Sequence, residues 1–267
     1  MNIDPGHYIK NSYNAKARHY DNTIDIPFYR VLYDTYESEL EKRRKHFSGR
    51  VLDAGCGTGI QSLWLSATAR EVFGVDISEK LLEVADAKCR HLNHVNFLEA
   101  DLTRLPFENT SFDAAVSLGE TISHIADWQK AFSEIARVLM PGGIFMFSVL
   151  NKWNLAVLFN RKEWRQARRS AAGHIREWTG MDREKEALLR LKTFTPNEIR
   201  RALKNAGLEL TYSRGIHIST LLVPLKSHRA GNDPWLIPVM EKLDNIFARQ
   251  GLLSGLGYIC LYVAIRK

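Results

Sequence analysis

The stretch Val51-Leu52-Asp53-Ala54-Gly55-Cys56-Gly57-Thr58-Gly59 constrains the fold of this chain more than any other: an apolar run, an acidic residue and three alternating glycines lead directly into a helical pattern. Glycine is called for there because a Cβ would block both the tight turn and a ligand lying against the backbone. The spacing narrows the ligand. A dinucleotide fingerprint G-x-G-x-x-G would need a glycine at position 60, where this chain has Ile60, and no G-x-x-x-x-G-K-[ST] phosphate loop is present. Asp76 closes the next apolar run, Val72-Phe73-Gly74-Val75-Asp76, where a carboxylate can accept hydrogen bonds from both hydroxyls of a ribose.

Around that motif, strand-like and helix-like segments alternate. The pattern predicts strands at 50–54, 71–76, 95–99, 112–117 and 143–149, separated by segments of helical spacing at 59–67, 78–92 and 127–139, which is the signature of βαβ units and a parallel sheet. Before it, Phe28, Leu32, Tyr36 and Leu40 recur at four-residue steps and form the apolar face of a helix between Ile26 and Phe47. Ser78 is placed to cap its helix, with Leu81, Ala85 and Cys89 along the buried face. A later helix is delimited at both ends: Thr195 as N-cap, Pro196 in the first turn, Glu198 closing a capping box, Phe194 stapled to Ile199, and Gly207 just past the end.

Two stretches break the alternation, 151–192 and roughly 220–255, both rich in aromatics and in positive charge or proline. They read as insertions. The first leaves the carboxyl end of a strand, where connections in an open α/β sheet line the ligand crevice. The expected organisation is therefore an N-terminal helical cap at 1–48, an α/β core at 49–150, a helical lid at 151–193, and the remainder of the core at 194–267 with a second insertion near 220–255.

The 267 residues are 45% hydrophobic and 25% charged, an ordinary globular composition. Cys56, Cys89 and Cys260 are odd in number and widely spaced, with no metal-ligand pattern, which fits a reducing compartment and predicts no metal site. No signal-peptide core and no apolar run of about 18 residues is present, so a cytoplasmic location is expected. The segment from Leu252 to Ile265 is interrupted by Ser254, Gly255 and Gly257 and reads as a turn followed by a buried strand. The net charge of +7 is densest at Lys42-Arg43-Arg44-Lys45, where cations complement a helix end, and between Arg161 and Arg176.

Taken together, the motifs resemble those of the class I S-adenosylmethionine-dependent methyltransferases, in the small-molecule branch that includes the ubiquinone and menaquinone enzymes. Asp53 to Gly59 is similar to the family's first motif, Asp76 to its ribose-binding acid, Asp101 with Leu102 to the pair flanking the adenine, Phe112-Asp113-Ala114-Ala115-Val116 to its fourth strand, and Leu139-Met140-Pro141-Gly142-Gly143 to its turn into the fifth. The match covers about Arg50 to Val149, resumes at Phe194 to Leu210, and extends to the final strand at Tyr258 to Arg266.

The resemblance implies a doubly wound, Rossmann-like α/β fold: a seven-stranded sheet with helices on both faces and an antiparallel last strand. It implies S-adenosylmethionine as cofactor and S-adenosylhomocysteine as product. Carried over by position, the Gly55-Cys56-Gly57 backbone lies along the methionine portion with Asp53 near its ammonium group, while the Cys56 thiol is packing. Asp76 holds the ribose, Asp101 accepts from the adenine amino group, Ile77 and Leu102 sandwich the ring, and the Leu118 carbonyl faces the ligand. Tyr13 and Tyr20 resemble tyrosines with which N-terminal segments of this branch close over the site, Tyr20 on the cofactor and Tyr13 on the substrate.

The acceptor side is less constrained, because in-line methyl transfer is accelerated largely by orientation and needs a base only if the acceptor must lose a proton. His124 and Glu120, in Ser117-Leu118-Gly119-Glu120-Thr121-Ile122-Ser123-His124, are the catalytic candidates, each with a packing or capping role as its alternative. Trp153 and Trp164, with Trp178, His174 and the interleaved Arg161, Arg165, Arg168 and Arg169, are candidates for substrate contact; the same residues would also suit an amphipathic helix on a membrane surface or a plain helical subdomain. A small organic acceptor, aromatic or hydrophobic, is favoured over RNA or protein. The Asn/Asp-Pro-Pro-aromatic motif of base-methylating enzymes is absent, and no cysteine suits cytosine-5 chemistry. A noncatalytic cofactor-binding protein is the remaining alternative.

Overall fold

The computed structural model describes residues 5–154, 175–179, 188–218, 239, 242–244, 246 and 254–267. The chain enters through helix α1 (Pro5–Lys16), a 3-10 segment (Ala17–Asp25) and helix α2 (Pro27–Glu41), then alternates through β1 (Arg50–Ala54), α3 (Ile60–Ser66), β2 (Glu71–Asp76), α4 (Glu79–Cys89), β3 (Val95–Glu99), β4 (Phe112–Ser117), the short α5 (Thr121–His124), α6 (Trp128–Val138) and β5 (Leu139–Leu150). After β6 (Ile175–Thr179) and β7 (Leu188–Lys192) come α7 (Pro196–Asn205), β8 (Leu208–Ile216) and β9 (Ile259–Arg266).

Seven strands form one sheet in the order β3-β2-β1-β4-β5-β9-β8. The first five are parallel; β9 runs antiparallel to both β5 and β8. Alternation along the strands divides the core in two. Leu52, Ala54, Phe112, Ala115, Phe145 and Phe147 face α6 and α7, whereas Val51, Val72, Ala114, Val116 and Met146 face Leu32, Tyr36 and Leu40 of α2 and Leu65 of α3. Helices thus cover both faces, as parallel strands require.

The predicted caps are present. Ser78 accepts from the backbone N–H of Leu81, and Thr195 and Glu198 form a reciprocal capping box, with Gly207 beyond the helix at φ 75°. Strand β5 begins earlier than the apolar pattern suggests, with its register against β4 shifting between Phe112 and Ala114 as the chain passes the exposed Met140-Pro141-Gly142 turn.

The described part of the first insertion departs from the helical lid expected there. Residues 175–179 and 188–192 pair as antiparallel strands, and the composition that sets this stretch apart is shared by helices and strands. Trp164, His174, Arg161, Arg165, Arg168 and Arg169 lie outside the described residues, as do the side chains of Phe28 and Trp178 and most of the second insertion.

Candidate functional site

Strand order reverses between β1 and β4, which pair directly through Val51 with Ala114, Leu52 with Ala115 and Asp53 with Val116. At such a switch point the loops leaving the two carboxyl ends diverge and open a crevice. The two loops here are 55–59 and 118–120.

In the first loop Gly55, Gly57 and Gly59 all have positive φ, 81°, 53° and 77°. Gly55 has no room for a Cβ, which would stand 2.2 Å from Cγ2 of Thr121. Gly57 is the opposite case: nothing lies within 4 Å of where its Cβ would be, so its backbone borders open space. The loop is tied to β2, since the N–H groups of Gly55 and Cys56 both donate to the Val75 carbonyl, at 2.7 and 3.0 Å.

Asp76 ends β2 beneath this loop. Its Oδ2 accepts from the N–H of Gly57 at 3.0 Å and its Oδ1 from that of Ser78 at 2.9 Å. The Ile77 N–H also acts on this carboxylate, so three backbone donors fix its orientation. Burial pushes its pKa up, against the lowering effect of these backbone donors. Leu102 is buried, Ile77 half-buried, and Asp101 exposed with its Oδ1 accepting from the N–H of Thr103 at 2.8 Å.

Only 1% exposed, the Asp53 carboxylate accepts from the Ser62 hydroxyl at 2.6 Å and so fastens β1 to α3. Burial raises its pKa to about 7. Cys56 is likewise sealed, and its thiol is pushed well above the usual range by burial, which leaves it no role as a nucleophile.

The second loop puts Gly119 and Glu120 in consecutive left-handed conformations, φ 76° and 59°. That is strained for a glutamate, at a cost of order 1 kcal/mol or more. Glu120 Oε1 accepts from the Tyr36 hydroxyl at 2.6 Å and from the Ser148 hydroxyl at 3.2 Å; Tyr36 also lies 2.8 Å from Ser148 Oγ, which accepts from the Glu120 N–H. Burial raises the Glu120 pKa. One turn on, Nε2 of His124 is 3.0 Å from the Tyr13 hydroxyl, and the rings meet edge to face at 5.5 Å. Burial, with a smaller effect from the Lys16 charge, lowers the His124 pKa to about 4, so the ring is neutral at pH 7.

The N-terminal segment is bound to these loops along its length. Asn14 accepts from the Ser78 hydroxyl at 2.6 Å, Asp21 accepts from the Thr58 hydroxyl at 2.5 Å and pairs with Lys88 at 2.8 Å, and Lys10 pairs with Glu99. Tyr13 and Tyr20 stand 6.1 Å apart, centroid to centroid, and their phenols are pushed up by burial and by the charges of Asp76 and Glu120.

Of the residues singled out from sequence, Asp76, Gly57, Tyr13, Tyr20, Glu120 and His124 are therefore brought together. Trp153 is 51% exposed, and no hydrogen bond or ring contact joins it to that group. Tyr36 and Ser148 were missed. The four-residue periodicity marks Tyr36 only as one more position on an apolar face, and a serine inside a buried strand carries no signal of its own. Among the described residues, no group of three or more His, Cys, Asp or Glu could hold a metal ion, and no helix is long and apolar enough to cross a membrane.

A family profile described as a methyltransferase domain matches residues 52–147. An uncharacterized protein of Methanocaldococcus jannaschii is 31% identical over 219 residues, 79% of this chain and 80% of that protein. The demethylmenaquinone methyltransferase of Staphylococcus haemolyticus is 38% identical over 100 residues, 36% of this chain, and the chain spans only 41% of that enzyme's length. Among solved structures, a complex of DhpI with SAM and HEP superposes with a TM-score of 0.63 at 18% identity, covering 98% of this chain and 97% of that one, which is a likeness of fold.

Proposed function

Because the chain belongs to the class I S-adenosylmethionine-dependent methyltransferases, we propose that it methylates a small organic acceptor held between the turn after β4 and the tyrosines of the N-terminal segment. S-adenosylmethionine is the cofactor, and the residues present fit it. Open space borders Gly57, and Asp76 presents a carboxylate oriented by backbone donors at the end of β2.

In this reading Asp76 takes the two ribose hydroxyls, and the Gly55-Cys56-Gly57 backbone and the Leu118 carbonyl border the methionine portion. Ile77 and Leu102 flank the adenine, and Asp101 accepts from its amino group. Asp53 acts at one remove by holding α3 through Ser62. Tyr20 closes the crevice over the cofactor and Tyr13 over the acceptor.

The cofactor supplies a methyl group on a positively charged sulfur. What the chain adds is orientation and exclusion of water, which carry much of the acceleration of an in-line transfer. His124, neutral at pH 7 and held through Nε2 by Tyr13, lines the acceptor side without bringing charge. Glu120 orients the acceptor or takes its proton, and its raised pKa moves it toward the range useful to a base. The observation that carries the reading is the pair of long-range contacts, Tyr13 with His124 and Tyr36 with Glu120, which place both candidate residues against the N-terminal wall of the crevice.

The tyrosine-rich wall favours an acceptor with aromatic or apolar surface. The likeness to a demethylmenaquinone methyltransferase is consistent with that but covers less than half of that enzyme. An RNA or protein acceptor has only the net charge of +7 in its favour.

Calorimetric titration with S-adenosylmethionine, S-adenosylhomocysteine and NAD tests the cofactor site: binding of the first two and not the third is expected. S-adenosylhomocysteine formation with fractionated cell extract as acceptor pool separates an enzyme from a noncatalytic binder. Turnover confined to the small-molecule fraction is expected, and turnover only with macromolecules would overturn the acceptor class.

A further inference from the structure

We propose that the acceptor carries a protonated amine, which Glu120 receives on its Oε2 in the tyrosine-walled space beside α5. This rests on the reading above that the crevice holds the acceptor.

The two oxygens of Glu120 are in different situations. Oε1 is occupied by the hydroxyls of Tyr36 and Ser148. Oε2 takes no hydrogen bond from the described residues, and it is not among the sealed unpartnered atoms, a set that includes Nδ1 of His124. A buried carboxylate is ordinarily matched by a cation. No lysine, arginine or histidine among the described residues pairs with this half-buried carboxylate, whereas the fully buried Glu39 is held by Lys42, Arg43 and Arg214. The contrast lies within one molecule: Glu39 is closed in by three cations and Asp53 by the Ser62 hydroxyl, whereas Glu120 keeps one oxygen open beside the crevice.

The surroundings favour positive charge. The phenols of Tyr13, Tyr20, Tyr29, Tyr33 and Tyr36 are all near enough for the Glu120 charge to act on them, and Asp76 adds a second negative charge felt by Tyr13 and Tyr20. The phenols stay protonated, and His124 is neutral at pH 7. A negatively charged acceptor would therefore enter a site of like sign, and a neutral one would leave Oε2 without its counter-ion. A protonated amine completes the ion pair and lies among aromatic faces that attract cations.

The experiment is calorimetric titration of the full chain, saturated with S-adenosylhomocysteine, with matched pairs of probes: tyramine against 4-ethylphenol, and benzylamine against benzyl alcohol. The amine of each pair is expected to bind about ten-fold more tightly than its neutral partner. In Glu120→Gln the preference is expected to fall to about two-fold or less, with S-adenosylhomocysteine affinity retained. Equal binding within each pair, or no binding of either amine to the loaded protein, overturns the proposal and leaves the cofactor site standing. A Glu120→Gln protein that loses affinity for S-adenosylmethionine but not for S-adenosylhomocysteine, with no amine preference in the parent, also overturns it, because the missing cation would then be the sulfonium. Failure of the parent to bind S-adenosylhomocysteine would instead sink the reading of the site itself.

Discussion

The Tyr13 hydroxyl meets Nε2 of His124 at 3.0 Å across 111 residues of sequence. Both groups are neutral at pH 7, so a single proton is shared between the phenol oxygen and Nε2, while Nδ1 is sealed without a partner. The N-terminal helix thereby fixes the ring of His124 through one of its two nitrogens.

Stability should carry the mark of this histidine. Its folded pKa of about 4 lies below the unfolded value of 6.5, so as pH falls the unfolded chain takes up the proton first. The stabilisation is fully present above pH 6.5 and is lost progressively down to about pH 4, at most about 3 kcal/mol. Thermal unfolding of the parent and of His124→Gln at pH 7.5 and 4.5 checks it: the parent should lose more on acidification. The variant should also turn over more slowly with cofactor affinity nearly unchanged.

Asp53 works in the opposite direction. Its pKa is raised from 3.8 to about 7, so its favourable contribution is present below pH 3.8 and disappears as pH rises through 7. Asp53→Asn keeps an oxygen for Ser62 without the charge. Relative to the parent it should gain about 1 to 3 kcal/mol between pH 5 and 8.5, read from denaturant midpoints; a constant difference across that range would mean the carboxylate is ionised throughout.

Removing the two-point ribose contact by Asp76→Ala should weaken S-adenosylhomocysteine binding by about 1 to 3 kcal/mol while the fold survives. Calorimetry and circular dichroism read the two effects separately, and unchanged affinity would contradict the placement of the ribose.

Tyr36→Phe deletes the hydroxyl 2.6 Å from Glu120 and leaves the ring in the core. Stability should drop by about 1 kcal/mol and turnover by more than that loss implies, because Glu120 is then held only by Ser148. Steady-state kinetics with a limiting acceptor checks it.

Asp21→Ala frees the Thr58 hydroxyl at the glycine loop and unpairs a partly exposed Lys88. The ion pair contributes little, but the buried Thr58 hydroxyl loses its acceptor, so stability should drop by about 1 kcal/mol, and release of S-adenosylhomocysteine in stopped-flow displacement should quicken several-fold.

Much of the fold was legible because its signals are local. The bounds of β1, β2, β3 and β4, the Ser78 cap and the Thr195 capping box each depend on residues a few positions apart. The glycine loop and Asp76 were legible for the same reason. Tyr36, Ser148, Asn14 and Asp21 were not, since each acts through a partner between 37 and 112 residues away. The contact of Asp53 with Ser62 was not legible, because a motif position fixes where an acid stands in the chain but not which hydroxyl of a neighbouring helix it meets. The strand pair at 175–179 and 188–192 was not legible either, because the aromatic and basic composition that marks the insertion is shared by helices and strands.

The N-terminal segment also has a place in time. Each of its polar anchors lies on structure that comes later in the chain, at Thr58, Ser78, Lys88, Glu99 and His124. Contacts of such sequence separation are slow to form, because the loop between the partners must be closed before any of them can form. Residues of this segment therefore wait for partners made after them, and the wall they build over the crevice is complete only once the strands and helices that carry those partners are in place.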